Sequence, residues 1–383
     1  MTGIELDPEF AAELAANVYL IQDELNRRGF VLKYKNHMAT DDKTMVTGQT
    51  GALVIAKKKH VMAFMSPGMG MYKGHAFVAI KGTANLYDAL TDLNTGVRTS
   101  RTGAAVHQGF NYAFESIFRE LHGFISKLEG VNVIHCVGHS LGGAIATLAA
   151  DWIRQASAVP AVKLYTFGSP RVGMERFAEK CTSRLKQKNI YRVYHQTDPI
   201  PMVPTWPFYH VPRSSADYLM PSSVAAIPWE YHLMKHYTKS ASDAGSWEAM
   251  KNNRPKGHLD ATVERWLKSD GLLSLTANTL DLLDAALLYV IKKVVNVAGI
   301  LLVGAAATTF TLLDRLAIFM AKAASVASDV SIWVYHLIRK MAALIGIKVK
   351  EGTSLTVAFI RAVFLRLHQK ISEMIWQASR LIN

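Results

Sequence analysis

The chain has 383 residues, half of them hydrophobic, which is enough for a large apolar core and more than one folded unit. Its formal net charge of +13 favours an anionic partner. There is no zinc-finger spacing, RNA-recognition motif or basic-aromatic run, so we expect a phospholipid surface and no nucleic acid. The two cysteines, Cys136 and Cys181, indicate buried thiols and exclude a disulfide framework.

The first residues carry neither a positively charged segment nor an apolar run. We therefore expect no Sec-type signal peptide. The protein would be made in the cytoplasm and would then associate with a membrane or leave the cell by a non-Sec route.

Helices and strands alternate along the first two thirds of the chain. Apolar periodicity predicts helices at 8–26, 110–128 and 144–156, and one or two helices at 247–268. Short apolar runs predict strands at 77–80, 131–137, 162–167 and 190–195. This alternation is typical of an α/β fold with a mostly parallel sheet. Residues 199–230 are rich in proline and predict an irregular segment.

The composition changes near Asp270, and the remainder contains four apolar helical stretches without a convincing strand. We expect two domains, a catalytic α/β domain at 1–270 and an all-α accessory domain at 271–383. The accessory part has 12 Lys and Arg against 6 Asp and Glu, a balance of +6. That charge favours contact with anionic phospholipid head groups.

The accessory part includes an uncharged run of 20 residues, Val294 to Leu313. Its length would allow a membrane-spanning or membrane-inserted helix. The same run would also suit the central helix of a soluble bundle, wrapped by amphipathic neighbours. Both interpretations remain open from the sequence.

The pattern Gly138-His139-Ser140-Leu141-Gly142 follows an apolar run and precedes an alanine-rich helical run. This is the strand–turn–helix context of a nucleophile elbow, in which glycines relieve steric crowding around a strained serine. Ser140 is therefore the candidate nucleophile.

A serine hydrolase also needs a base, a carboxylate that orients the base and donors for the oxyanion. In α/β-hydrolases the chain order is Ser, then Asp or Glu, then His. Asp198 follows the predicted strand 190–195 and suits the acid. The candidates for the base are His210, His232, His236 and His258. The histidines lack zinc-ligand spacing, so we expect no metal.

Several motifs resemble the class 3 lipase family. In chain order they are Ala79-Ile80-Lys81-Gly82-Thr83 with Leu90-Thr91-Asp92-Leu93, Val106-His107-Gln108-Gly109-Phe110, the elbow, Tyr165 to Gly173, and Asp198-Pro199-Ile200-Pro201. The resemblance covers roughly residues 10–268. The family's usual arginine and lid tryptophan are replaced by Lys81 and Ala89.

The resemblance implies an α/β-hydrolase fold and a role for each site residue. Ser140 would be the nucleophile, and Asp198 would orient the base. His232 would be the base, because residues 232–237 are similar to the family's H-x-M-x-x-Y ending, with His236 as its competitor. The oxyanion donors would be Thr83 and the amide of Leu141. Residues 84–105 would form the lid, and no cofactor is implied.

We therefore expect a serine esterase that hydrolyses fatty-acyl ester bonds of lipids, namely a phospholipase A or an acylglycerol lipase at a membrane surface. These features also suggest a bacterial toxin effector, whose helical tail would engage a target membrane, a chaperone or an immunity protein. The alternative is a membrane-inserting or interaction protein, whose tail permeabilises a bilayer or docks to it. The sequence does not give the oligomeric state.

Overall fold

The structure is a computed structural model and describes residues 5–40, 44–50, 58–82, 96–205, 207–213, 217–222, 228–251, 260–271, 273–298, 312–326 and 328–380. Several predicted features lie outside the described residues: Thr83, most of the predicted lid, His258 and the part of the uncharged run between 299 and 311.

The helices of the described residues fall into an N-terminal group and a C-terminal group. The first group comprises α1 (Pro8–Asn17), α2 (Glu24–Tyr34), α3 (Gln108–Ile125), α4 (Leu141–Ala156), α5 (Glu175–Leu185), α6 (Met234–Ala244), α7 (Trp247–Met250) and α8 (Asp260–Lys268). The second comprises α9 (Ala277–Ala298), α10 (Leu312–Val326), α11 (Ser328–Leu344) and α12 (Val357–Arg380). Short 3₁₀ turns include Val18–Gln22, Ile200–Met202 and Pro228–His232.

The strands form a large mixed sheet and a small antiparallel one. They are β1 (Met45–Thr50), β2 (Lys58–Pro67), β3 (His75–Ile80), β4 (Val97–Thr99), β5 (Ala105–His107), β6 (Val133–His139), β7 (Ala161–Phe167), β8 (Gly173–Met174), β9 (Ile190–His195), β10 (Phe208–Tyr209) and β11 (Tyr218–Met220). The large sheet has the order β1-β2-β3-β6-β7-β9-β11, in which the strands from β3 onward run parallel. The small sheet has the order β10-β8-β5-β4. The prediction of an α/β-hydrolase fold with a mostly parallel sheet is confirmed.

The N-terminal helix differs from its prediction. The expected single helix 8–26 is divided into α1, a 3₁₀ turn and α2. Asp23 has an extended backbone, and its carboxylate accepts a hydrogen bond from the N–H of Leu25. A capping aspartate starts a new helix in this way, so the apolar periodicity alone overestimated the helix length.

Side chains of the parallel strands alternate between two cores. Phe77, Val137 and Phe167 face α1 and α6 on one side of the sheet. Ile80, Cys136 and Leu164 face the other side, where α3, α4 and α5 pack. This two-residue alternation is the pleat of a sheet buried on both faces. Both cysteines are free and buried.

The C-terminal helices pack against the first part of the chain. One apolar core runs from the α4 side of the sheet into α9, α10, α11 and α12 without a break. In particular, α9 contacts the turn Ile200–Met202, and α12 contacts the turn Pro228–His232. None of the described helices is long and apolar enough to cross a membrane. The boundary at residue 270 stays a prediction.

Two polar contacts fasten these helices in place. Arg171, which is buried, forms an ion pair with Asp284 of α9. The guanidinium of Arg339 donates to the carbonyls of Leu267 at 3.2 Å and Lys268 at 3.1 Å, which closes the C-terminal end of α8. Cations at a helix C-terminus satisfy its last carbonyls and complement its dipole.

Asp284→Asn tests the first contact. The Arg171 side chain is only 4% exposed, so the variant removes a carboxylate charge from beside a buried guanidinium. We expect the free energy of unfolding to fall by about 3–5 kcal/mol, measured by urea denaturation. The control is Asp243→Asn, which breaks an exposed ion pair with Lys239 and should change the value by less than about 1 kcal/mol. Equal losses in the two variants would contradict the assignment.

His107→Gln tests a buried titratable group. Burial lowers the pKa of His107 to about 3. As the pH falls below about 6.5, His107 binds a proton in the unfolded chain but stays neutral in the folded chain. The free energy of unfolding therefore decreases with acidification. We expect the loss between pH 8 and pH 5 to be about 2 kcal/mol smaller in this variant than in the wild type. A loss in this variant as large as in the wild type would contradict the role of His107.

Candidate active site

Ser140 lies in the turn between β6 and α4 with φ of 56° and ψ of −131°. A left-handed φ is rare for a residue other than glycine and stores strain. The N–H of Ser140 donates to the carbonyl of Phe167 at 3.0 Å, which secures the turn to the neighbouring strand. The serine is buried. This is the geometry of a nucleophile elbow.

The glycines around Ser140 are required by close backbone contacts. A Cβ atom at Gly142 would overlap the carbonyl of Ile80 and lie 2.7 Å from the carbonyl carbon of Lys81. A Cβ atom at Gly138 would lie 2.7 Å from the amide nitrogen of Gly143. A side chain at Gly142 would require the turn to move away from β3, and one at Gly138 would require the elbow itself to open.

His232 is the histidine that the fold brings to Ser140. Its Nε2 atom is 2.9 Å from Ser140 Oγ, and its Nδ1 atom is 2.8 Å from Asp198 Oδ2. All three residues are fully buried. With the proton on Nδ1, the imidazole donates to Asp198 and accepts from the serine hydroxyl, as a general base must.

Asp198 follows β9, as predicted, and its carboxylate accepts from two further donors. The N–H of Ile200 donates to Oδ1 at 3.0 Å, and the Tyr237 hydroxyl donates to Oδ2 at 2.6 Å. Burial raises the pKa of Tyr237, which keeps the phenol protonated. Together with His232, these donors fix the orientation of the carboxylate.

Gly168 completes the floor of this site. Its φ of +57° suits glycine, and a Cβ atom there would lie 2.9 Å from both Asp198 Oδ2 and Tyr237 Oη and 3.0 Å from His232 Nδ1. Asp198, His232 and Tyr237 therefore pack directly against the backbone of Gly168, where no side chain would fit.

His139 supports His232 from below the elbow. The Tyr19 hydroxyl is 2.7 Å from His139 Nδ1, and His139 Nε2 is 2.8 Å from the carbonyl oxygen of His232. Burial holds the pKa of His139 well below its ordinary value, so the ring is neutral. Tyr19 thus donates to His139, and His139 donates to the backbone of His232. Sequence reasoning missed Tyr19, which lies 120 positions from its partner.

The predicted oxyanion site is described in part. Leu141 is the first residue of α4, so its N–H has no acceptor within the helix and lies at the positive end of the helix dipole. Gly82 comes directly before Thr83, and a Cβ atom there would lie 3.2 Å from Ser140 Cβ. The chain thus passes beside Ser140 at Gly82, and Thr83 itself lies outside the described residues.

The remaining candidates have other neighbours. The ring of His236 stacks on Tyr231 at 4.3 Å, and His210 Nε2 accepts from Arg171 Nε at 3.3 Å. Lys81 is buried and donates to Gln22. Burial lowers the pKa of Lys81 to about 8. Within the described residues, no group of His, Cys, Asp and Glu is arranged to hold a metal ion.

Comparison with known proteins bears on the family. Residues 77–208 match the family model described as Lipase (class 3). The class 3 lipase prediction is confirmed for residues 77–208. This class 3 lipase segment includes Ser140 and Asp198, whereas His232 lies beyond it. The catalytic roles of the three residues stay predictions.

Curated relatives each match about a third of the chain or less. A secreted mono- and diacylglycerol lipase 1 of Fusarium solani is 37% identical over 132 residues, which are 33% of this chain and 38% of the relative. The toxin TseL of Vibrio cholerae is 36% identical over 103 residues, which are 27% of this chain and 15% of the toxin. The chain spans less than two fifths of the length of these two relatives.

Solved lipase structures are also similar. Lipase II of Rhizopus niveus is 20% identical with a TM-score of 0.41, and the alignment covers 57% of this chain and 80% of that chain. The lipase–propeptide complex of Rhizomucor miehei is 22% identical with a TM-score of 0.39, covering 56% and 67%.

Gly168→Ala tests the floor of the site. We expect ester hydrolysis to fall by about 10²-fold or more, because the new methyl group must push the carboxylate or the imidazole out of line. The activity of the purified variant on a soluble short-chain ester measures this. The control is Gly130→Ala, which has a similar φ of +63° but open space around the added Cβ atom. If both variants lose activity equally, backbone strain and not the triad contact is responsible.

Proposed function

We propose that this protein is a serine hydrolase of fatty-acyl ester bonds in lipids. The observation that carries the proposal is the continuous hydrogen-bonded chain from Ser140 through His232 to Asp198, placed beside the N-terminus of α4. The class 3 lipase segment and the names of the acylglycerol lipase relatives support the same reaction class.

The reaction begins when Ser140 Oγ attacks the carbonyl carbon of the ester. His232 Nε2 takes the serine proton, and Asp198 stabilises the imidazolium that results. The oxyanion of the tetrahedral intermediate would accept from the N–H of Leu141 and from Thr83. His232 then gives its proton to the leaving alkoxide, and an acyl-enzyme on Ser140 remains.

Water completes the reaction by hydrolysing the acyl-enzyme. His232 Nε2 accepts a proton from the water as the water attacks the acyl carbon. The second tetrahedral intermediate uses the same oxyanion donors. Its collapse returns the proton from His232 to Ser140 Oγ and releases the fatty acid.

For the substrate, two lipid classes are proposed. The relatives named mono- and diacylglycerol lipases favour acylglycerols. The net charge of +13 and the basic helical tail favour an anionic phospholipid surface, on which the enzyme would act as a phospholipase A. A membrane-surface lipid is common to both, and residues 84–105 would control its access as a lid.

Export and a role as a toxin effector are also proposed. The Fusarium relative is named a secreted lipase, and the Vibrio relative is named a toxin. A chaperone or an immunity protein would then be a partner of this chain, and the helical tail is the segment that we would test for such contacts.

Ser140→Ala is the central test of the reaction. We expect hydrolysis of mixed phospholipids and acylglycerols to fall by about 10⁴-fold or more, because no nucleophile remains. Mass spectrometry of the lipid products measures the loss and identifies the lipid class and the bond cleaved. The matched control is Ser157→Ala at the far end of α4, which should keep wild-type activity.

Liposome leakage separates the alternative function. If the tail permeabilises bilayers by itself, dye release will survive in Ser140→Ala. We expect leakage to disappear together with hydrolysis. Full hydrolysis by Ser140→Ala would contradict the proposed nucleophile.

A further inference from the structure

Helix α2 carries two leucines on its outward face. Leu25 is 79% exposed and Leu32 is 64% exposed. They lie seven residues apart, which is two turns of an α-helix, so both occupy one side. The opposite side is anchored by Phe30 and Tyr34, whose rings pack against Phe64 and Phe10. The helix therefore cannot rotate to bury the leucines.

Two cations alternate with these leucines. Arg28 and Lys35 each follow a leucine by three residues, and both are exposed. No ion pair joins either of them to another residue of the described ranges. By contrast, Lys33, toward the other edge of the helix, pairs with Glu13 at 2.9 Å. The outward face thus presents two apolar side chains beside two cations that form no ion pair with a described residue.

The size and charge of this face indicate what binds to it. A stable protein–protein interface buries about 1,200–2,000 Å², far more than two isolated leucines can provide. A lipid bilayer needs only a few apolar side chains inserted below the head groups and cations level with them. Each cation near an anionic surface adds attraction, which favours a bilayer that contains anionic phospholipid.

The position of α2 connects this face to the catalytic edge of the sheet. The 3₁₀ turn Val18–Gln22 leads into α2, and Gln22 accepts a hydrogen bond from Lys81 at the end of β3. Tyr19 in the same turn contacts His139 beside the nucleophile. The N-terminal end of α2 is therefore fixed to the edge of the sheet that holds Ser140.

We propose that Leu25, Arg28, Leu32 and Lys35 form a docking surface for an anionic phospholipid bilayer. The surface holds the active-site edge of the sheet next to its substrate. This assignment rests on the proposed function for the identity of the substrate, but the docking itself is independent of catalysis.

Binding to vesicles tests the surface in the full chain carrying Ser140→Ala, which leaves the lipid intact. Co-sedimentation compares vesicles of phosphatidylcholine with vesicles that also contain one quarter phosphatidylglycerol. We expect Leu25→Ser with Leu32→Ser to weaken binding to both kinds by about tenfold. Arg28→Gln with Lys35→Gln should weaken binding only to the anionic vesicles, by about tenfold or more.

The matched control removes two exposed apolar side chains elsewhere. Ile318 and Ile332 of the C-terminal helices are 42% and 51% exposed, and Ile318→Ser with Ile332→Ser should change binding by less than about twofold. Unchanged binding in the α2 variants, an equal loss in this control, or no vesicle binding by the parent chain would each overturn the proposal. The proposal would also be overturned if the α2 variants lost binding to a protein partner and kept binding to vesicles.

Hydrolysis of a soluble short-chain ester separates this proposal from the proposed function. With Ser140 present, the α2 variants should retain wild-type hydrolysis, because they touch no triad residue. If the wild type hydrolyses no ester while the α2 variants still lose vesicle binding, the reaction is wrong and the docking surface stands. If the reaction proceeds and vesicle binding is unchanged, only the docking surface is wrong.

Discussion

The close approach of the β6–α4 turn to the end of β3 determines the geometry around Ser140. Ser140 keeps its strained φ of 56° because Gly138 and Gly142 let backbone pack directly on backbone. The same contact sets the N-terminus of α4 beside the serine and directs the chain at Gly82 past it. The position of Ser140, the position of the α4 N-terminus and the path of the chain at Gly82 therefore follow from one steric arrangement.

The groups around Ser140 form a hydrogen-bonded assembly in which nearly every donor has a fixed acceptor. Asp198 collects donors from the backbone of Ile200, from Tyr237 and from His232. On the other side, a neutral His139 accepts a hydrogen bond from Tyr19 and donates one to the carbonyl of His232. Such an assembly holds the imidazole before the substrate arrives, which reduces the reorganisation that catalysis requires.

Local patterns predicted the elbow, the parallel strands and the position of Asp198, because each depends on residues close together in the chain. The choice of His232 over His236 needed the family resemblance, since both histidines lie near the start of α6 and only long-range packing separates them. Tyr19 had no local signal for the same reason. The break at Asp23 was missed because a cap overrides apolar periodicity. The two interpretations of the uncharged run depend on residues 299–311, which lie outside the described residues.

The contacts of α9 and α12 have a consequence for how the chain can be divided. These helices support the turns Ile200–Met202 and Pro228–His232, which adjoin Asp198 and contain His232. A chain cut after Asp270 would keep Ser140, Asp198 and His232 in its sequence and lose the packing behind the last two. Replacement of the tail by another sequence would therefore require the two turns to be replaced with it.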